Sequence, residues 1–382
     1  MIYFPPIGWG PTARTPVRTD GDGFALYQRA EGESFVYLSR WSVDAERMLV
    51  ESRVPRVFIS ELWTEPNLNA LRPCVRHIEE LVMQSPAMTD WSLLPEMPAL
   101  RTLGLHHSSE GVPFASLPQL ESCSIASPAT LGDVCQAPAL RRLSLVGVPF
   151  RDLHMLERMQ SLTSLTLDGR HKTSLAGIEV LPLHELAFQL RRLESLAPLR
   201  TLPLRRLNVN DGRALRDVEE VGRIATLEAL NIEDSSPLRS LEFVAPLSAL
   251  QQLDIGGTVL SDDVVSLRAL SGLSALRELR LSGEKHGLRN LADLESLGAL
   301  SSLEKIKVHK GPEQIDSIGW VRTLLRLKHF WLGKTRIRDG DVSPLLDLPC
   351  IERVAILPTW KNYSHTDETF GATMRTRLAA RS

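Results

Sequence analysis

The chain has 382 residues, of which 43% are hydrophobic and 24% are charged, and its formal net charge is -2 at pH 7. This balance argues against a surface built to attract nucleic acids or membranes. No apolar run of 18 or more residues could span a bilayer, and the first residues lack the pattern of a secretory signal. We therefore expect a soluble, cytoplasmic protein. Arg accounts for 36 of the 44 basic residues. This excess of Arg over Lys is typical of GC-rich bacterial genomes and favours a bacterial source.

Residues 1–53 precede any repeated pattern. Within them, "GFALYQRAEGESFVYLSRW" at residues 23–41 contains two β-rich runs around a Gly-containing turn. Such runs predict a β-hairpin. We interpret residues 1–53 as an N-terminal cap that closes one end of the repeats.

From residue 54 onward, the template L-x-x-L-x-L recurs at intervals of 20 to 27 residues, for example in "ALRRLSL" at 139–145 and "PLRRLNV" at 203–209. A period this short indicates one supersecondary unit that stacks on its neighbours. Residues 54–357 are therefore predicted to form a solenoid of about 14 repeats. We call the first apolar residue of each match its marker; the markers are Val54, Ile78, Leu100, Leu120, Leu140, Leu162, Leu183, Leu204, Leu227, Leu250, Leu276, Leu303, Leu327 and Ile351.

Each match predicts a short strand. In a strand, residues two apart lie on one face, so Leu143 and Leu145 should face the core and Ser144 the opposite side. Arg142 and Val146, which flank the pair, should also face outward. One strand per repeat produces a parallel sheet with about 4.8 Å between neighbours.

The segments between strands should differ along the chain. Returns of the 20- to 22-residue repeats have room only for turns, so extended or 3₁₀ backbone is expected there. The return at 261–276 opens with Ser and Asp and carries apolar residues at near-helical spacing. One or two helical turns are expected in it, and the side opposite the sheet should become more helical toward the C-terminus.

This pattern resembles the leucine-rich repeat family in its bacterial forms, and the resemblance covers residues 54–357. It implies an α/β solenoid with a curved parallel sheet on the concave face, and turns, 3₁₀ segments and short helices on the convex face. One feature departs from the family. Many members place an Asn eight residues after the marker, whereas this chain has hydroxyl residues or residues without a side-chain hydrogen bond there, such as Ser108, Ser235, Thr258, Thr335, Thr359, Gly212, Val148 and Pro128.

Residues 358–382 follow the last repeat. In "DETFGATMRTRLAAR" the acidic residues come first and the basic residues last, while Phe370, Met374 and Leu378 are four apart. This pattern predicts a short capping helix. A helix that binds a partner and a disordered tail remain alternatives.

Motifs for catalysis or cofactors are incomplete. "GKT" at 333–335 lacks the earlier Gly of a phosphate-binding loop, and His184 in "HELAF" lacks a second His four residues later. "DGDG" at 20–23 has too few acidic positions for a calcium loop. The cysteines show no C-x-x-C pairing and are interpreted as reduced and structural: Cys74, Cys123, Cys135 and Cys350. We predict that the protein is not an enzyme and needs no cofactor or metal.

The outward positions of the repeats predict a surface with two signs of charge. Early repeats place small groups such as Thr102, Ser122 and Ser144 outward, middle repeats place acidic and amide groups there, and the last repeats are basic with one Trp. Trp331 is the predicted anchor, because aromatic residues contribute strongly to interfaces; packing on the C-terminal cap is the alternative. The predicted partner-binding residues are Asp168, Glu185, Arg206, Asn208, Asn210, Asn231, Glu233, Asp254, Glu278, Arg280, Lys305, Lys307, His309, His329 and Trp331.

These features favour a binding protein. The resemblance to leucine-rich repeat proteins implies a protein partner on the concave face, which the chain would block or position, with a toxin-neutralising immunity protein as one concrete form. The alternative is a bacterial effector or adaptor that acts on a host protein. A nucleic-acid partner is disfavoured, because carboxylates near the basic end would repel phosphate. No membrane association is expected, and the chain should be a monomer apart from its partner.

Overall fold

The repeats form parallel strands in the computed structural model, which describes residues 18–19, 23–28, 34–107, 110–126, 131–147, 149–171, 173–235, 238–257, 265–283, 291–357, 362–365 and 367–379. Contacts between residues group into two compact units, Tyr3–Leu190 and Arg191–Ser382. We call them the N-terminal unit and the C-terminal unit. The division into a cap, a solenoid and a C-terminal segment stays a prediction.

The described residues of the N-terminal unit form ten strands. β1 and β2 pair antiparallel, as do β2 and β3, and from β3 to β10 each strand pairs in parallel with the next. The predicted hairpin therefore corresponds to β2 and β3, and its turn lies outside the described residues. The strands are β1 Arg18–Thr19, β2 Phe24–Gln28, β3 Ser34–Leu38, β4 Arg56–Ile59, β5 Glu80–Met83, β6 Thr102–Leu105, β7 Ser122–Ile125, β8 Arg142–Val146, β9 Ser164–Gly169 and β10 Glu185–Leu190.

Helices of the N-terminal unit are short. Helix α1 begins after Ser42, whose Oγ accepts a hydrogen bond from the Ala45 N–H at 3.0 Å, and it ends at Arg53, which has a left-handed backbone with φ 47°. The α-helices are α1 Val43–Ser52 and α2 Leu131–Val134, and the 3₁₀ segments are Asn69–Cys74, Leu94–Glu96, Phe114–Ser116 and His154–Leu156.

The main sheet of the C-terminal unit contains seven parallel strands, paired in the order β11, β12, β13, β15, β17, β19 and β21. Two short parallel pairs, β14 with β16 and β18 with β20, lie in the returns. The strands are β11 Arg206–Asn210, β12 Ala229–Glu233, β13 Gln252–Gly256, β14 Val265–Ser266, β15 Glu278–Ser282, β16 Leu291–Ala292, β17 Lys305–His309, β18 Gln314–Ile315, β19 His329–Gly333, β20 Arg336–Ile337 and β21 Arg353–Leu357.

The expected gain of helix in the later returns is wrong for the described residues. Between Arg191 and Leu357 the described returns contain only 3₁₀ segments and the short strand pairs, because 20 to 27 residues must also supply a strand and two turns. The C-terminal segment does form a helix, α3 Asp367–Ala379. The 3₁₀ segments are Ala197–Leu199, Val218–Arg223, Glu242–Val244, Leu267–Leu270, Leu294–Ala299, Gly319–Thr323 and Ser343–Leu345.

Inward side chains of neighbouring strands lie side by side and form the core of each unit. In the C-terminal unit Leu207 aligns with Leu230 and Val209 with Ile232, and all four are buried. Burying an aliphatic side chain of this size contributes about 1.5 to 3 kcal/mol. The predicted alternation of inward and outward residues is therefore confirmed. On the last strand, β21, the inward residues Val354 and Ile356 are half-buried.

In four repeats of the C-terminal unit, the position eight residues after the marker holds small residues that fit against each other in pairs. A Cβ added to Gly311 would lie 2.7 Å from Thr335 Oγ1, and one added to Gly212 would lie 3.0 Å from Ser235 Oγ. A glycine in one repeat therefore leaves room for a hydroxyl in the next. Ser235 Oγ donates to the Glu233 carbonyl at 3.0 Å, whereas the buried Thr335 hydroxyl has no hydrogen-bond partner among the described residues. The other positions discussed above, Ser108, Pro128, Val148, Thr258 and Thr359, lie outside the described residues.

Candidate partner-binding face

The face of the C-terminal sheet opposite the core carries three rows of side chains, which we call the outer face. The strand register brings equivalent residues side by side across the strands. The first row is Arg206, Ala229, Gln252, Glu278, Lys305, His329 and Arg353; the middle row is Asn208, Asn231, Asp254, Arg280, Lys307, Trp331 and Ala355; the third row is Asn210, Glu233, Gly256, Ser282, His309, Gly333 and Leu357. Thirteen of the fifteen predicted partner-binding residues lie in these rows.

One end of the outer face, at β11 to β13, is rich in amides and carboxylates. Asn231 Nδ2 donates to Asn208 Oδ1 at 3.2 Å, and both side chains are buried despite facing away from the core. Burial raises the pKa of the Asp254 carboxyl, which is only 8% exposed. Burial also raises the pKa of Glu233, and the nearby Asp254 adds to the rise. Desolvation therefore disfavours the ionised form of both carboxyl groups. Carboxyl groups with shifted pKa values are typical of functional sites.

Ion pairs join the strands where the charge changes sign. Lys305 Nζ donates to Glu278 Oε1 at 2.7 Å, and an Arg280 guanidinium nitrogen lies 3.8 Å from an Asp254 carboxylate oxygen. Four of the predicted partner-binding residues therefore neutralise one another within the sheet. The sequence pattern showed the signs of these charges but not the pairing.

The other end of the outer face, at β17 and β19, is basic. The Lys307 ammonium lies 5.0 Å from the centroid of the Trp331 ring, within the range of a cation–π interaction. The pKa of His309 is lowered by burial first, and then by the positive charges of Lys310, Lys307 and Lys334. His329 differs from the other basic residues at this end because it lies beside an acidic group. Its Nε2 lies 3.5 Å from a Glu352 carboxylate oxygen.

A groove of about 560 Å³ adjoins this basic end. Trp331 borders it from β19, Ala355 from β21, and Phe370 and Met374 from α3. The C-terminal helix thus lies beside Trp331, yet the indole stays 38% exposed. Trp331 shares a groove with the C-terminal helix, as packing on the cap would require. It also remains accessible to another molecule, as an anchor would require.

Asp168 and Glu185 belong to the N-terminal unit. Asp168 is on β9 opposite Gln189, and Glu185 is on β10 opposite Ser164. Burial raises the pKa of Asp168, while Arg170 opposes the rise. The fifteen predicted residues are therefore divided between two units, and the outer face of the C-terminal unit is the coherent part of the set.

The residues just before the first row form a charged rim that sequence reasoning missed. Glu304 accepts a hydrogen bond from Lys328 Nζ at 2.7 Å and lies 3.8 Å from Arg277. The hydrogen bond from Lys328 lowers the pKa of Glu304. The sequence does contain a signal for this rim, because the residues directly after successive markers alternate between positive and negative charge. Because these pairs are largely solvated, each contributes little to stability.

Residues that end the strands have a left-handed backbone in several repeats. Asp211, Asp234, Lys310 and Lys334 have φ between 48° and 62°, seven residues after their markers. Gly147 and Gly257 occupy the same position in other repeats. A non-glycine residue there costs roughly 1 kcal/mol, and Asp tolerates this conformation better than Lys does. Lys310 and Lys334 are therefore unfavourable for local stability.

Cysteine, metal and membrane features add no second site in the part of the chain that the structure describes. All four cysteines are free, and burial raises the pKa of Cys74 and of Cys135 to about 11. Within those residues no three His, Cys, Asp or Glu side chains could together hold a metal ion. None of the described helices is long and apolar enough to cross a membrane.

Comparisons with known proteins address the fold. No protein-family model matches the chain, and no curated protein matches it in sequence. A leucine-rich repeat protein of Leptospira interrogans superimposes with a TM-score of 0.54 at 14% identity, covering 89% of this chain and 98% of that one. A chain of the Drosophila Toll–Spatzle complex has a TM-score of 0.55 at 13% identity, covering 91% of this chain and 51% of that one.

A third similar structure is the leucine-rich repeat ectodomain of a plant membrane receptor kinase from Arabidopsis thaliana, in complex with Casparian strip integrity factor 2. Its TM-score is 0.51 at 14% identity, over 79% of this chain and 43% of that one. This chain thus spans about half of the Drosophila and Arabidopsis chains. The predicted leucine-rich repeat solenoid fold is confirmed, and the Leptospira protein is a bacterial example of it. Proteins of this fold typically bind other proteins.

Proposed function

We propose that the chain binds a protein partner through the outer face of its C-terminal unit, the face predicted to be concave. The observation that carries the proposal is Trp331, which is 38% exposed beside an apolar groove and next to Lys307 on the sheet. A large aromatic side chain in such a position is typical of an interface anchor.

The charge distribution supports a protein as the partner. Glu233 and Asp254 lie at one end of the outer face, and Lys307 and His309 lie at the other. Complementary charges of both signs on the partner would fix its orientation and speed its association. A nucleic acid offers only negative charge, so the acidic end would repel it.

The similar structures supply an analogy. Two of them are described in complexes, one as the Toll–Spatzle complex and the other with Casparian strip integrity factor 2. By this analogy the chain acts by binding its partner. From the sequence we further propose that it blocks or positions this partner without catalysis, as a monomer in the cytoplasm. An immunity protein that neutralises a toxin is one concrete form of such a role.

Affinity capture from the native organism, with the full chain as bait, supplies the partner for a direct test. Lys307→Glu should weaken binding about tenfold, mainly through the association rate, and the loss should shrink as salt is raised because exposed charges are screened. Asp254→Asn should also weaken it, without burying a new charge.

The matched control is Arg268→Ala, on a 3₁₀ segment away from the outer face, where the Arg268 side chain lies 3.3 Å from Asp293. It should leave the dissociation constant unchanged. If Arg268→Ala abolished binding while Lys307→Glu and Asp254→Asn had no effect, the assignment of the binding face would be refuted.

A further inference from the structure

A small space lies above Gly333, in the third row of the outer face, because this position has no side chain. A Cβ atom added to Gly333 would lie 3.2 Å from His309 Nδ1 and 3.2 Å from Trp331 Nε1. Ring nitrogens of two different side chains therefore border the same space. Since N–H···O bonds are about 2.9 Å long, an oxygen atom beside this space can accept hydrogen bonds from both rings.

Positive charges act on His309, which borders this space. Lys307 lies opposite Trp331 across the two strands, and His309 lies opposite Gly333. Among the described residues, the charged groups that act on the His309 imidazole are all cations, namely Lys310, Lys307 and Lys334. Hydrogen-bond donors within a positive field are the arrangement that proteins use to hold oxyanions.

The backbone of the repeats places two of these lysines at equivalent positions. Lys310 and Lys334 follow β17 and β19 in the left-handed conformation, with φ of 54° and 62°. Glycine occupies the equivalent position in two other repeats, as Gly147 and Gly257. Two strained lysines on adjacent repeats place their charges at the same edge of the outer face.

We infer that the space above Gly333 is an anion subsite, in which His309 and Trp331 hold an oxyanion of the protein partner within the positive field of the neighbouring lysines. The oxyanion belongs either to the carboxylate of an acidic side chain or to the phosphoryl group of a modified one. The groove beside Trp331 takes an apolar side chain next to that anion. This inference rests on the proposed function, because it assigns part of the partner's surface.

The first test is a titration of the full chain with inorganic phosphate at constant ionic strength, followed by the NMR signal of the Trp331 indole N–H, which Trp331→Phe identifies. We expect a saturable shift. Gly333→Ala should weaken phosphate binding at least tenfold, because the added methyl group occupies the space. Gly272→Ala is the matched control, since a Cβ there meets no atom within 4 Å, and it should bind phosphate like the unmodified chain. An equal shift in Gly333→Ala, or an equal shift with sodium chloride, would overturn the inference.

The second test distinguishes the two sources of the anion. Three peptides of the form acetyl-Phe-X-Gly-Gly-amide carry Glu, phosphoserine or Gln at X. Tighter binding of the Glu peptide than of the Gln peptide supports a carboxylate, and tightest binding of the phosphoserine peptide supports a phosphoryl group. Equal binding of all three contradicts an anion subsite. A single-stranded oligonucleotide that bound more tightly than every peptide would overturn the assignment of the anion to a protein.

Failure of the subsite and failure of the proposed function can be distinguished with the captured partner. If Gly333→Ala leaves partner affinity unchanged while Lys307→Glu and Asp254→Asn lower it, the anion subsite is rejected and the binding face stands. If none of these variants changes partner affinity, the proposed function is rejected as well.

Discussion

The two units use the same strand backbone but carry different outer faces. In the N-terminal unit, the positions equivalent to the middle row hold Val82, Gly104, Ser124 and Ser144, which the register aligns across β5 to β8. Three of these side chains are apolar or small and buried, and Gly104 has none. In the C-terminal unit the same positions hold amides, charges and a tryptophan. The inward leucines determine the fold, so the outer face is free to vary with function.

The aromatic residues of the two units also differ in their exposure. In the N-terminal unit Phe35 and Phe58 pack edge to face, with ring centroids 5.3 Å apart, and Val82 joins their buried cluster. In the C-terminal unit Trp331 is exposed and lies beside a cation. The first arrangement stabilises its unit through burial, whereas the second leaves apolar surface for a partner.

A charge at an inward position of the C-terminal sheet should destabilise the chain more than any change on its outer face. Leu207 is buried on β11, so Leu207→Asp should place an unpaired carboxylate in the core and destabilise the chain by about 3 to 5 kcal/mol. Asn210→Asp, on the outer face of the same strand, should cost less than about 1 kcal/mol. Both are measured by chemical denaturation. A Leu207→Asp chain as stable as the unmodified one would contradict the register.

Removing the exposed anchor should affect binding and not stability. Trp331→Ala should lower partner affinity by roughly 2 to 4 kcal/mol, since it removes a large aromatic contact, while the melting temperature changes little. Leu325→Ala is the control, because Leu325 is 58% exposed and does not belong to the outer face. Calorimetry with the captured partner measures both affinities. Equal losses in the two variants would show that Trp331 is not an anchor.

Burial of the carboxyl groups at the acidic end should make the stability of the chain depend on pH. Burial raises the pKa of Glu233, so the folded chain holds this proton at a higher pH than the unfolded chain does, and stability is lost as the pH rises through the folded pKa. Glu233→Gln should therefore be more stable than the unmodified chain at pH 7, with the difference disappearing below about pH 4. Glu219→Gln, on an exposed return, is the control. A loss of stability in Glu233→Gln at pH 7 would contradict a desolvation cost.

The sequence was sufficient to predict the repeats and the inward and outward faces, because a period of two residues within a period of about 20 determines both. It also predicted that Trp331 faces outward and that the outward charges change sign along the sheet. It could not predict that Glu278 pairs with Lys305, because that depends on register and side-chain conformation across strands. The groove beside Trp331 depends on where α3 packs, and no repeat pattern specifies that position.

Hydroxyl-radical footprinting of the complex with the captured partner tests the central claim most directly, because it reports side-chain accessibility in both units at once. We expect Trp331, which is 38% exposed, and His309 to become protected in the complex. Met155, which is 41% exposed in the N-terminal unit, should react equally in the free and bound chain. Protection of Met155 together with unchanged reactivity of Trp331 would contradict partner binding by the outer face of the C-terminal unit.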